Sequence, residues 1–181
     1  VQHLIEEKGI SENNIIILTF TKNAAVSMKR RYKEETKKVK TPFFGTFHGL
    51  FYKILSRKEE IKMISTNDTY KIVKKGLYTY LKDVGEDKIK EIINAIGTYK
   101  SKRNSKDSFR TSIDNEIFLK IYNEYEEFKN SAGLYDFEDL QIRTLDLLYN
   151  NEMLLESYRK LFKYILVEEF QDCDENQIEF L

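Results

Sequence analysis

The sequence predicts a helix-rich α/β protein in which a short parallel sheet, built from the two ends of the chain, is interrupted by an all-α insertion. Three observations predict it. Two short, almost wholly apolar runs, Ile15–Leu18 and Tyr164–Val167, stand near opposite ends of the 181 residues and suit strands covered on both faces. The stretch between about Asn67 and Ser131 carries helical periodicity alone. One Pro and seven Gly are too few for linker-like or meandering chains, so helix should dominate.

Taken in order, Ile15-Ile16-Ile17-Leu18 is β-branched and apolar, and reads as a buried strand. The turn Thr19-Phe20-Thr21 follows, then Ala24, Ala25 and Met28 as helix formers, with Thr21 placed to cap the helix start. Phe43-Phe44-Gly45-Thr46 repeats the pattern. Thr46 is its cap, and Phe47, Leu50, Phe51, Ile54 and Leu55 fall at helical spacing.

Three helical stripes come next. Ile72, Val73, Leu77 and Leu81 mark the first, Ile89, Ile92, Ile93 and Ile96 the second, and Ile117, Ile121, Tyr125 and Phe128 the third. The polar stretch from Lys100 to Ser112 reads as a loop between the last two. Helices near Phe137–Tyr149 and Glu152–Phe162 lead into Tyr164-Ile165-Leu166-Val167, the second buried-strand candidate, which ends in Glu168-Glu169. Residues 1–64 and 134–181 are therefore expected to form the α/β part and 65–133 the helical insertion.

A content of 41% hydrophobic and 33% charged residues supports a real core and excludes disorder. Cys173 is the single cysteine, and no apolar run of 18 residues or cleavable leader is visible, so a reducing, cytoplasmic setting with no membrane is expected. The formal net charge is zero, but it is unevenly spread. Residues 22–40 hold eight basic residues against two acidic, residues 53–110 fifteen against eight, and residues 111–181 six against seventeen. Such polarity suits a chain with one part facing a polyanion, and equally suits solvated helix faces.

Three segments can carry chemistry. Phe20, Thr21, Lys22 and Asn23 combine an aromatic ring, a hydroxyl, a positive charge and an amide at a helix N-terminus, the parts of a single-strand site where amides and hydroxyls take phosphate and a ring stacks on a base. Thr46, Phe47 and His48 offer a similar set at the next strand-to-helix junction. Core packing of both rings and simple capping by both threonines explain the same residues. Glu168-Glu169-Phe170-Gln171-Asp172 sets adjacent carboxylates just beyond a strand, where a nucleotide hydrolase holds Mg²⁺ through water and orients the attacking water. An acidic loop closing a strand is the plainer reading. Asp136, Glu138 and Asp139 at a helix start are explained by capping. His48 has no second His or Cys at ligand spacing, which argues against a transition-metal site.

In this order the segments resemble the UvrD/Rep family of superfamily 1 DNA helicases. Ile17-Leu18-Thr19-Phe20-Thr21-Lys22-Asn23-Ala24-Ala25, with Met28 and Arg31, is similar to the family's motif Ia, with Lys22 and Asn23 in exchanged order. Gly45-Thr46-Phe47-His48 matches motif Ib. Asp136-Phe137-Glu138-Asp139-Leu140 is similar to the stretch before the Walker B strand, and Ile165 to Gln177 to motif II. The resemblance implies a partial RecA-like parallel sheet of the P-loop NTPase type, motor subdomain 1A, with the helical subdomain 1B inserted.

It also implies that Phe20–Asn23 and Thr46–His48 line a track for single-stranded DNA or a single-strand/duplex junction. Glu169 would be the catalytic carboxylate for ATP hydrolysis, Gln171 would lie near the γ-phosphate, and Glu168, where the family has Asp, would hold Mg²⁺ of Mg-ATP through water. The implied role is DNA unwinding coupled to ATP hydrolysis in repair, replication or recombination. No G-x-x-x-x-G-K-[ST] run occurs in the 181 residues, and Val1–Ile10 resembles the tail of the helix after a P-loop. The expectation is therefore an internal fragment without the P-loop segment and second motor domain, inactive alone, binding no ATP or Mg²⁺ by itself, and at risk of non-native self-association through an open sheet edge. Rival readings are a non-enzymatic nucleic-acid-binding module and a helicase-like interaction subunit of a nuclease or repair complex.

Overall fold

The computed structural model describes residues 1–103 and 110–181. Contacts divide the chain into two units, Val1–Lys58 with Gln141–Leu181, and Glu59–Leu140. These limits lie a few residues from those drawn on periodicity, because two short strands outside the helical stripes pair with each other inside the second unit.

The first unit is built on three parallel strands, β1 (Ile15–Thr19), β2 (Phe43–Thr46) and β5 (Tyr164–Val167), in the order β2-β1-β5. Its helices are α1 (Gln2–Glu6), α2 (Lys22–Thr36), α3 (Phe47–Leu55), α8 (Glu152–Leu161) and α9 (Glu175–Phe180), together with most of α7 (Phe137–Tyr149). Central β1 is buried along its whole length, as five apolar or hydroxyl side chains without a charge dictate. Strand β5 departs from expectation. Among the described residues it pairs on one side only, and Tyr164 and Leu166 are 36% and 37% exposed. An apolar run cannot by itself distinguish a central strand from an edge.

Helix α3 buries Phe47, Leu50, Phe51, Ile54 and Leu55, the spacing of one helical face. Phe51 meets Phe180 of α9 edge to face at 5.1 Å, which ties the chain's end to the middle of the unit.

The second unit contains α4 (Thr66–Tyr80), α5 (Glu86–Ser101) and α6 (Asn115–Ala132), with β3 (Lys62–Met63) pairing in parallel with β4 (Leu134–Tyr135). Its core is Val73, Leu77, Ile89, Ile92, Ile96, Phe118 and Ile121, the apolar stripes of the three helices turned toward each other. Gly76 lets α4 approach α6, since a Cβ there would meet Ile121 Cγ1 at 3.1 Å. Gly133, at φ +64°, supplies the left-handed residue that ends α6.

Lys100 and Ser101, expected in a polar loop, belong to α5; the remainder of that loop falls partly on residues 104–109, outside the described residues. Lys100 stays helical because its ammonium is buried, at 4% exposure, among carboxylates. Its Nζ lies 2.6 Å from Asp136 Oδ2, 2.7 Å from Asp139 Oδ1 and 2.9 Å from Glu126 Oε1. Lys129 of α6, 1% exposed, binds the same three acids. Asp136 and Asp139 also cap α7 reciprocally: the Asp139 N–H donates to Asp136 Oδ1 at 2.8 Å and the Asp136 N–H to Asp139 Oδ2 at 3.0 Å.

Candidate functional site

Parallel register gathers the candidate segments. Thr19 pairs with Thr46 and Leu18 with Val167, so the residues after β1, β2 and β5 all leave the carboxyl edge of one sheet. In open α/β sheets that edge is where ligands bind.

After β1, the turn is tied down from both sides. The buried Thr19 hydroxyl donates to the Thr21 carbonyl at 2.9 Å, and Thr21 Oγ1 accepts from the Ala24 N–H at 3.1 Å as the cap of α2. The fixed turn leaves Phe20 40% exposed, and Lys22 and Asn23 are exposed at the helix start. A ring, a cation and helix N-terminal amides thus face solvent together.

The second junction repeats the cap, with Thr46 Oγ1 accepting from the Gly49 N–H at 3.1 Å. Phe47 corrects the expectation of a second stacking ring. It is 2% exposed and lies between Phe20, at 6.5 Å, and Phe51, at 6.1 Å between ring centroids. As the first residue of an amphipathic helix it turns into the core, packed against Phe20 and Phe51.

His48 is half-buried, and its Nε2 lies 3.0 Å from Gln141 Nε2 on α7. Burial pushes its pKa below the ordinary value, against the opposing pull of the Asp174 carboxylate. Gln141 was not among the predicted site residues. Its signal is a polar residue on the inward stripe of α7, beside buried Leu140, Thr144, Leu145 and Leu148.

After β5, the Glu168 N–H donates to the Leu18 carbonyl at 2.9 Å, extending the ladder by one residue. Glu169 then takes φ 50° and ψ 46°, a left-handed conformation that costs a non-glycine residue about 1–2 kcal/mol. The bend opens a short 3₁₀ turn, Phe170–Asp172, and brings Gln171 back so that its Nε2 donates to Glu169 Oε2 at 2.6 Å. Glu168, Glu169 and Gln171 are all exposed. Glycine would relieve that strain.

Glu168 and Glu169 supply hard oxygen donors, with neither in an ion pair among the described residues, which fits Mg²⁺ held through water. The other carboxylate group, Glu126, Asp136 and Asp139, has its charge met by two buried ammonium groups and is not free for a metal. The Gly-rich run that cradles phosphate is absent from the 181 residues.

Residues 1–181 match the UvrD/REP helicase N-terminal domain. The chain belongs to the UvrD/REP helicase family. The helix-rich chain with its small parallel sheet is accordingly of the RecA-like N-terminal helicase type.

Three relatives in this family show the extent of the likeness. A putative ATP-dependent DNA helicase, YjcD, of Bacillus subtilis is 31% identical over 193 residues, covering 99% of this chain and 25% of that protein. DNA helicase II of Haemophilus influenzae is 28% identical, covering 98% of this chain and 26% of the relative. ATP-dependent DNA helicase PcrA of Staphylococcus aureus is 26% identical with the same coverage, 98% and 26%. The chain thus spans about a quarter of the length of these UvrD/REP relatives.

Proposed function

We propose that the chain is part of the first motor domain of an ATP-dependent single-stranded-DNA translocase or helicase, with the sheet unit as subdomain 1A and the helical unit as subdomain 1B. The observation that carries the reading is the convergence of three strand ends. The Phe20 and Thr46 junctions and the Glu168–Gln171 segment share one sheet edge, so a strand on the first two lies beside the nucleotide machinery of the third.

In this reading Phe20 stacks on a base, while Thr21, Lys22, Asn23 and Thr46 take phosphates and His48 lines the track. Glu169 is the catalytic carboxylate, held by Gln171, and Glu168 binds Mg²⁺ through water. Mg²⁺ would supply charge neutralisation at the phosphates when Mg-ATP is bound. Acting in the cytoplasm, the whole protein would serve repair, replication or recombination and meet single strands or single-strand/duplex junctions.

No ATP hydrolysis is expected from the 181 residues alone, because they contain no phosphate-cradling run. Fluorescence anisotropy with a labelled single strand at two salt concentrations, with Phe20→Ala and Thr46→Ala in parallel, tests the reading. Salt-sensitive binding weakened by both changes supports it. Absence of binding at low salt refutes a strand track in this chain and favours a helicase-like interaction subunit.

A further inference from the structure

Gln141 makes a buried contact with the second junction from α7. It is 3% exposed, and its Nε2 stands 3.0 Å from His48 Nε2. An amide nitrogen only donates, so His48 Nε2 accepts, and a neutral imidazole that accepts at Nε2 carries its proton on Nδ1. Gln141 Oε1 is buried without a hydrogen-bond partner. With its nitrogen toward the ring the amide is the donor; the reverse placement would make the ring the donor, so the ring tautomer decides between the two.

We propose that Gln141 is a positioning residue, which fixes the ring plane of His48 and holds it neutral and Nδ1-protonated beside the phosphate-binding Thr46. The inference rests on the strand-track reading of that junction. Two further observations agree with it. His48 is the second residue of α3, so its ring is placed by a capped helix start, and Gln141 fixes the remaining side-chain torsions. Burial of the ring favours the uncharged form, while the charged group that faces it, Asp174 at the cap of α9, favours the charged one. A donor from Gln141 to the Nε2 lone pair shifts the balance toward the neutral ring.

The chain has two histidines, so imidazole ¹⁵N spectra of the 181-residue protein resolve His48, with His3 as an internal reference. The expected result is an Nδ1–H tautomer for His48 at pH 7.5 and protonation only below the ordinary histidine value. Gln141→Leu should change the tautomer balance and weaken single-strand binding by about threefold to tenfold. Gln141→Glu, which accepts where Gln141 donates, should raise the His48 midpoint by about one pH unit or more and leave the His3 signal in place.

An Nε2–H tautomer in the unaltered protein overturns the inference, and that measurement needs no variant to fold. So does Gln141→Leu with unchanged ring spectra, or with altered spectra and unaltered strand binding. A protein that binds no single strand refutes the strand-track reading and the positioning role with it. That outcome is distinct from failure of the Gln141 contact alone, where strand binding persists and Gln141→Leu leaves it unmoved.

Discussion

Lys129→Met removes one of the two cations from the buried cluster of the helical unit while keeping an unbranched stem of similar length. Lys129 Nζ lies 2.7 Å from Asp136 Oδ2 and 2.9 Å from Glu126 Oε1, and also binds Asp139 Oδ2. After the change three carboxylates face Lys100 alone. Removing one partner of a buried ion pair costs about 3–5 kcal/mol, a large share of the about 5–15 kcal/mol that holds a typical domain. The loss should fall on α5, α6 and the start of α7, because the same acids cap α7. In urea, with a slope of about 2 kcal/mol per M, the midpoint of the helical unit should drop by about 2 M, read by circular dichroism and by amide exchange. Adding Glu126→Gln restores the original net charge of the cluster and should recover about 1 kcal/mol. A loss below about 1 kcal/mol for Lys129→Met would refute the reasoning.

The same cluster sets a pH window. Burial alone would raise the Asp136 carboxyl, but Lys100 and Lys129 outweigh it and hold the group well below the usual carboxylate range. Its contribution is therefore complete above the ordinary value of about 3.9 and is lost as pH falls through the lower folded value. Burial would lower Lys100, yet Asp136 and Asp139 outweigh it and raise the ammonium above its ordinary range. That contribution is complete below about pH 10.4 and is lost as pH rises further. Between these limits the two groups leave stability flat, and Lys129→Met should move the acid limb to higher pH.

Three further outcomes follow from the sheet unit. Phe20→Ala should weaken single-strand binding by about 1–3 kcal/mol in an anisotropy titration with folding intact, whereas Phe47→Ala should cost about 3–5 kcal/mol of stability in a denaturant melt. Glu169→Gly should stabilise the chain by about 0.5–1 kcal/mol in the same melt, by relieving the left-handed residue against the greater unfolded freedom of glycine. Leu166→Lys, on the half-exposed edge strand, should reduce any concentration-dependent association measured by sedimentation.

Local patterns made much of this legible. Thr21 and Thr46 were identifiable as caps because a hydroxyl directly precedes a helical stripe, and both accept from the amide three residues on. Ile15–Leu18 was readable as a covered strand because nothing in it tolerates water. Position within the sheet was not readable: the run at Tyr164–Val167 is also mostly apolar, yet among the described residues it pairs on one side only, since strand order is set by non-local pairing. The inward direction of Phe47 was legible from its place on the apolar stripe of α3, but the burial of Lys100 was hidden, because a lysine's place in a core depends on acids 26 to 39 residues away. Gln141 carried a faint signal, a polar residue on an apolar stripe, with nothing local to say what it meets.

The pairing of Lys62–Met63 with Leu134–Tyr135 has a consequence for how the chain reaches its fold. Asn14, at the foot of β1, bonds to the Leu161 carbonyl 147 residues further along, so assembling β1 against β5 means closing a very long loop. The helical unit shortens it. Once its own helices condense, the entry and exit strands lie side by side about 4.8 Å apart, and more than seventy residues behave as a brief connection. Taking that length out of the 147-residue loop roughly halves it, which lowers the closure cost by about 0.6 kcal/mol in chain entropy. Early condensation of the insertion would therefore speed completion of the sheet, and weakening the Lys129 cluster should slow refolding of the sheet.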